Sequence, residues 1–308
     1  MVKPILSICV PTYNRQNKLK SLLHSIKSED EQRIEVVIVD DGSEDGTADY
    51  CRHLKCNFKL VLTVQKNQGR SSALYNSIKK ARGEFIIIMD SDDRFLDGAI
   101  NTIIESLTKY ERILSKDRVC GLVFNCVDEK QKIIGKDFNL EGVSNFLKYR
   151  ADENVFGDKK EVVKSHLLKS VIYQPFYGEP RMPTGIMWNR LARKYDVVMV
   201  KSSLVIKEYL EGGMSSKIRE LRINSIRSTL LYYEEGLFDF GIQYKSVTFA
   251  VRVAANFIRY RLHRKSLNLG FLLRMTFPQI FILFLALPFG SILFLSDIFY
   301  VRKNSKYF

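Results

Sequence analysis

Apolar blocks recur through the first third of the chain, each ended by a polar turn and followed by apolar residues three or four apart. The first block is Ile5–Val10, stopped by Pro11, after which Leu19, Leu22, Leu23 and Ile26 predict a helix between Asn17 and Ser28. Ile34–Val39 repeats the arrangement, runs into Asp40-Asp41-Gly42-Ser43 and leads to a helix from about Thr47 to Leu54. Leu60–Val64 is a third strand. Asn67-Gln68-Gly69 then turns the chain into a helix predicted over Ser71–Ala81, with Gly83 ending it. Ile86–Met89 is the fourth strand, closed by Asp90, Asp92 and Asp93. Strands that are apolar on both sides and alternate with helices predict a mostly parallel sheet, covered on both faces and joined by right-handed crossovers. All the polar turns then fall on one edge.

The rest of the chain carries weaker signals. Residues 119–127 predict another strand, and Asn139–Ser170 reads as mostly helical with a polar break at Gly157-Asp158-Lys159-Lys160. A helix over Ile186–Ala192 places Met187, Trp188 and Leu191 on a core side, and the alternating run Lys201–Tyr209 closes the sheet. Gly212-Gly213 leads to a basic helix with Lys217, Arg219 and Arg222. From Tyr244 to Leu262 an apolar side (Val247, Ala250, Val251, Ala254, Ile258) faces a basic remainder, as in an interfacial helix. Ile280–Leu295 is free of charge. Pro278, Pro288, Gly290 and Asp297 interrupt a longer apolar stretch, which predicts a re-entrant or interfacial hairpin bent at Pro288–Gly290 in preference to a full span. Three parts follow: 1–115 and 116–235, two halves of one domain, and 240–308, a membrane-associated helical region.

Composition narrows the classes. At 308 residues, with 46% hydrophobic and 12% aromatic residues, the chain is globular and can bury a large core. Its net charge of +14 is concentrated: residues 241–308 hold ten Lys or Arg against one acid, Asp297. That excess flanks the most apolar stretch, the arrangement of a segment held at an anionic membrane face. No nucleic-acid motif accompanies it, so a nucleic-acid partner is not expected. The five cysteines include no C-x-x-C pair and fit reduced thiols, and Ile5–Val10 is too short for a signal peptide. The expected location is the cytoplasmic face of the cell membrane.

Three carboxylates crowded at one strand end repel one another and call for a cation. Oxygen donors suit Mg²⁺ or Mn²⁺, which are held by one or two carboxylates together with phosphates and water. Elsewhere on the same edge, Tyr13 in Pro11-Thr12-Tyr13-Asn14-Arg15 offers a ring to a nucleotide base. Asp40 and Asp41 offer acceptors to base N–H or ribose O–H groups.

The segments Pro11–Arg15, Val39–Ser43, Asn67–Gly69 and Gly83–Asp93, in this order, resemble family 2 glycosyltransferases of the GT-A fold. The resemblance is strong over roughly residues 4–110, and it implies that 1–115 is the nucleotide-sugar-binding half and 116–235 the acceptor-binding half of the same domain. It implies a nucleotide-diphosphate sugar donor, a UDP-sugar in the first instance, a divalent cation (Mn or Mg), and inversion at the anomeric carbon. The implied acceptor is a hydroxyl of a glycan or lipid-linked acceptor in cell-surface polysaccharide synthesis. By matching motif positions, Pro11, Tyr13, Asp41, Arg70 and Asp90 would bind the nucleotide and Asp92 the metal, with Asp93 an alternative ligand. One position departs from the pattern. Counting back from Arg190, the family's catalytic base, an acidic residue, falls at Pro183-Thr184, and threonine is no base near neutral pH. Glu179 is the nearest carboxylate and the expected general base. A catalytically weak or inactive sugar-nucleotide-binding subunit is the alternative that Thr184 motivates.

Overall fold

The computed structural model describes residues 3–208, 218–264 and 270–304. Its first half is built of β1 (Leu6–Thr12), α1 (Gln16–His24), β2 (Ile34–Asp40), α2 (Thr47–His53), β3 (Lys59–Val64), α3 (Arg70–Lys80) and β4 (Phe85–Ile88). The two-residue strand β5 (Arg94–Phe95), α4 (Ala99–Lys109) and α5 (Glu111–Leu114) lead to the long strand β6 (Val119–Val127). After it come β7 (Gly142–Ser144), α6 (Phe146–Ala151), β8 (Lys159–Lys164), α7 (Ser165–Val171), α8 (Gly185–Ala192) and β9 (Asp196–Ile206). Helices α9 (Ile218–Asn224), α10 (Ile226–Phe238), α11 (Val247–His263) and α12 (Phe277–Asn304) complete the described chain.

All the strands form one sheet in the order β3-β2-β1-β4-β8-β6-β9-β5, with β7 paired to β9. β1 to β4, β6 and β9 run the same way, whereas β8 lies antiparallel between β4 and β6. Alternate residues of each strand feed opposite faces: Cys9, Val37 and Ile86 pack beneath α3, and Ile8, Val36 and Ile87 pack with α1 and α4. Both faces are therefore dry, and the apolar runs need no alternation.

Three expectations are corrected. β1 continues through Pro11 to Thr12, because β4 pairs with β1 only as far as Cys9, so the missing Pro11 N–H faces no strand. The segment 139–170 is only partly helical. Its Lys-Lys-Glu-Val-Val-Lys stretch is β8, where Val162 and Val163 insert between two strands and tertiary pairing overrides a helix-compatible composition. Finally, no hairpin forms at Pro288–Gly290: α12 is one continuous helix containing Pro288. Contacts with α11 hold it on both sides of the proline, through buried Ile282 and Ala286 before it and Gly290 and Asp297 after it. The approach is close, since a Cβ on Gly290 would lie 2.7 Å from the Ala255 carbonyl oxygen. Asp297 is buried against Arg259, with Nε at 2.6 Å, and His263, with Nε2 at 2.8 Å. Gly212-Gly213 and Lys217 lie outside the described residues.

Candidate active site

The carboxyl ends of β1, β2 and β4 share one edge because these strands are parallel and adjacent. The turns that leave them, together with the turn after β3, are tied into a closed ring. Asn14 donates its N–H to Ser43 Oγ at 2.8 Å and accepts the Glu44 N–H on Oδ1 at 2.8 Å, joining the first turn to the second. Asp41 joins the second to the third, accepting from Gln65 Nε2 at 2.7 Å, Gln68 N at 2.9 Å and Gly69 N at 2.7 Å. Arg70 opens α3 and donates from Nε to Asp90 Oδ1 at 2.9 Å, joining the third to the fourth. Arg15 closes the ring on Asp92.

The Asp90–Asp93 turn is neutralised from inside the protein. Lys207 Nζ lies 3.2 Å from Asp90 Oδ2 and 2.7 Å from Asp93 Oδ2, and Lys160 Nζ lies 3.3 Å from the same Asp93 oxygen while donating to the Ile88 carbonyl at 2.9 Å. Burial alone would push the Asp90 carboxyl up, but Arg70, Lys207 and Lys160 more than offset it and hold it well below the ordinary carboxylate range. Burial works the other way on Lys207, where Asp90 and Asp93 prevail and raise the ammonium well above its ordinary value. Lys160 sits in β8 and Lys207 just past β9, strands whose pairing is long-range. Neither was singled out from sequence. The available signal was a lysine at each position where a strand begins or ends on the acidic edge.

A cavity of about 270 Å³ opens beside Asp90 and Arg70, walled by Lys207, Glu161, Trp188 and Thr184. Trp188 is buried and stacked on Phe146, ring centroids 5.6 Å apart, as its core-side spacing predicted.

The expected site residues are thus distributed unevenly. Arg70, Asp90 and Asp92 meet at the edge, and Tyr13 is exposed in the turn between β1 and α1. Pro11 is buried within β1, and Asp41 is buried with three internal donors on its carboxylate. Glu179 has a different employment from the one expected. Its carboxylate accepts from Arg227 N at 2.7 Å, Ser228 N at 2.9 Å and Ser228 Oγ at 2.6 Å, which caps the start of α10. Glu179→Ala is accordingly expected to lower stability by about 1–2 kcal/mol. Its effect on turnover is expected to stay under about tenfold, well short of the loss of a general base; denaturation and transfer rates measured on one preparation check both.

For a divalent cation, Asp92 has the right chemistry: an oxygen donor at the edge, partly exposed, whose partner Arg15 is a half-exposed side chain. Asp93 does not fit, since it is buried and already holds two ammonium groups. Among the described residues no cluster of three or more His, Cys, Asp or Glu forms a ready-made cage, so such an ion would be completed by phosphate oxygens and water.

A mostly parallel sheet with helices on both faces and an acidic turn at its carboxyl edge defines an α/β protein of the GT-A kind. Residues 7–153, just under half of the chain, match the family described as Glycosyl transferase family 2, and this part of the chain is a glycosyltransferase domain of that family. The GalNAc(5)-diNAcBac-PP-undecaprenol beta-1,3-glucosyltransferase of Campylobacter jejuni is 25% identical over 221 residues, 69% of this chain and 67% of that protein. Among solved structures, S. aureus TarS 1-349 in complex with UDP-GlcNAc superposes with a TM-score of 0.59 at 18% identity, over 91% of this chain and 79% of that one. The mannosyltransferase PcManGT from Pyrobaculum calidifontis, in complex with GDP-Man and Mn²⁺, gives 0.53 at 16% identity, over 96% and 88%. Both share the fold.

Proposed function

We propose that the chain is an inverting transferase moving a sugar from a UDP-sugar to a hydroxyl of a lipid-linked glycan at the cytoplasmic face of the membrane, in cell-surface polysaccharide synthesis. The observation that carries this reading is the closed ring of four turns, which sets Arg70 and Asp90 beside a cavity of about 270 Å³, room for a sugar ring, with Asp92 in the same acidic turn as Asp90. The relatives bound to UDP-GlcNAc or acting on an undecaprenol-linked glycan support the choice of donor and acceptor class.

Tyr13 would stack on the base. Asp41, with three donors already placed, keeps one acceptor position on Oδ2 for a base N–H. Asp90, held ionised by its cations, would accept from the ribose, and Arg70 would reach the diphosphate. Asp92 would hold a Mg²⁺ or Mn²⁺ ion, which when bound neutralises the diphosphate leaving group. The acceptor hydroxyl must lose its proton as it attacks from the opposite face, and Asp158 and Glu161 are the carboxylates that wall the cavity near Thr184. The membrane contact would be made by α12, 24 residues of which are long and apolar enough to cross a bilayer, with Phe281, Phe284, Phe289, Ile292 and Phe299 exposed along it. Because the opposite side of this helix packs on α11, it suits a helix lying in the interface.

A second reading, a sugar-nucleotide-binding subunit without turnover, is favoured by Thr184 and by the capping role of Glu179. Calorimetry with UDP and UDP-GlcNAc in Mn²⁺ tests the binding both readings share. Tyr13→Ala is expected to weaken it by about tenfold, the worth of one stacked base. Unchanged affinity in that variant would remove the assignment of the nucleotide to this edge. Transfer to a polyprenyl-diphosphate glycan in membranes then separates the readings.

A further inference from the structure

The Asp90–Asp93 turn holds its three carboxylates in two different ways. Asp93 meets Lys160 in a pair whose side chains are 7% and 2% exposed, and it meets Lys207 as well. Asp90 meets Lys207 and the Nε of Arg70. These cations come from β8, from just past β9 and from the start of α3, and Lys160 is held further by the Ile88 carbonyl. Asp92 meets Arg15 instead, in a pair whose side chains are 31% and 17% exposed. It also lines an open cleft of about 630 Å³, together with Lys18, Arg94 and Glu208. A hydrated ion can therefore approach Asp92 through the cleft.

The backbone around Arg15 is pinned. Asn14 N–H donates to Ser43 Oγ at 2.8 Å, Gln16 N–H donates to Asp45 Oδ2 at 2.9 Å, and the Arg15 carbonyl accepts the Leu19 N–H at 2.9 Å. What is left to move is the long side chain, and partly exposed side chains change rotamer quickly. A guanidinium and a divalent cation seek the same carboxylate oxygens and repel each other at contact, so each weakens the other's hold on Asp92. A partly exposed ion pair is weak enough to be displaced. Phosphate oxygens shift the balance, because they complete the coordination of a cation and offer nothing comparable to the Arg15–Asp92 pair.

We propose that Arg15 is a latch on the Asp92 carboxylate, holding it against a divalent cation that arrives alone and yielding it to one that arrives with a nucleotide diphosphate. The latch rests on the transferase reading for its nucleotide, and its test needs no turnover. Mn²⁺ is titrated into the full chain, with and without UDP, and followed by the electron paramagnetic resonance signal of the unbound ion. Without UDP, Arg15→Gln and Arg15→Ala are each expected to bind Mn²⁺ about tenfold more tightly than wild type, because a positive charge beside the ion is gone. Arg15→Lys, which keeps the charge, should stay within about threefold of wild type. The gain should vanish when Arg15→Gln is combined with Asp92→Asn. With UDP, wild type and Arg15→Gln should agree within about threefold, so the coupling between UDP and Mn²⁺ is about tenfold smaller in the variant, whichever of the two is titrated. The latch is overturned if both neutral variants bind Mn²⁺ no better than wild type, if the gain survives in the double variant, or if it persists in full with UDP. A gain that depends on Asp92 while UDP alters Mn²⁺ binding in none of the proteins would instead remove the transferase reading and leave the competition between Arg15 and the cation standing.

Discussion

Asp92→Asn is expected to lower the rate of sugar transfer by about a hundred- to a thousand-fold, with a change in stability of less than about 1 kcal/mol. The two halves of that expectation come from one geometry. Asp92 lies at the edge with Arg15 as its charged partner, and both side chains are partly exposed, so the pair contributes little to folding. In the proposed mechanism Asp92 would hold the cation that meets the negative charge of the departing diphosphate, and charge placed there acts mainly on the transition state. Removing free divalent cations should slow wild type to a similar degree and should add little to the loss in Asp92→Asn, since both remove the same contribution. Initial rates with and without chelator, in wild type and variant, measure this. Full additivity of the two losses would mean that Asp92 acts independently of a cation.

The second large effect is on stability. Lys207→Met is expected to destabilise the fold by about 3–5 kcal/mol, because it leaves the buried Asp93 and its neighbour Asp90 facing each other with one ammonium fewer. Lys207→Met combined with Asp93→Asn should recover much of that loss, and a double-mutant cycle in chemical denaturation reads the coupling. The pH dependence has a defined sign. Asp90 is depressed in the folded chain, so its contribution is present above its ordinary value of 3.8 and fades as pH falls toward the folded value. Lys207 is raised, so its contribution is present below 10.5 and fades only as pH rises beyond that. A stability plateau between about pH 5 and 9, with an acid limb, is expected of wild type. The variant should lie lower throughout the plateau.

How much of this was legible in the sequence depends on how local each signal is. The strands β1 to β4 and the turns after them follow from apolar runs and their polar ends, and all were placed to within a few residues. Val119–Val127 coincides with its expected bounds, since nine consecutive buried residues leave little choice of conformation. β8 was hidden because its lysines and glutamate earn their places from distant partners, Ile88, Asp93 and Arg150. For the same reason Lys160 and Lys207 could not be seen as the counter-charges of the acidic turn. Glu179 is the carboxylate nearest to Thr184 in sequence, but the chain around it turns that carboxylate toward α10, a direction sequence distance does not encode. At Pro288 the local rule for proline was outweighed by packing along α11 on both sides.

The Asp297 ion cluster makes the C-terminal helix an integral member of the protein. A chain cut before Phe277 would not be a tidier, more soluble catalyst: it would uncover the apolar flank of α11 and leave Arg259 without the carboxylate that holds it. Any handle for purification or imaging therefore belongs at the far end of α12 or at the amino terminus, and screening should vary amphiphile instead of chain length.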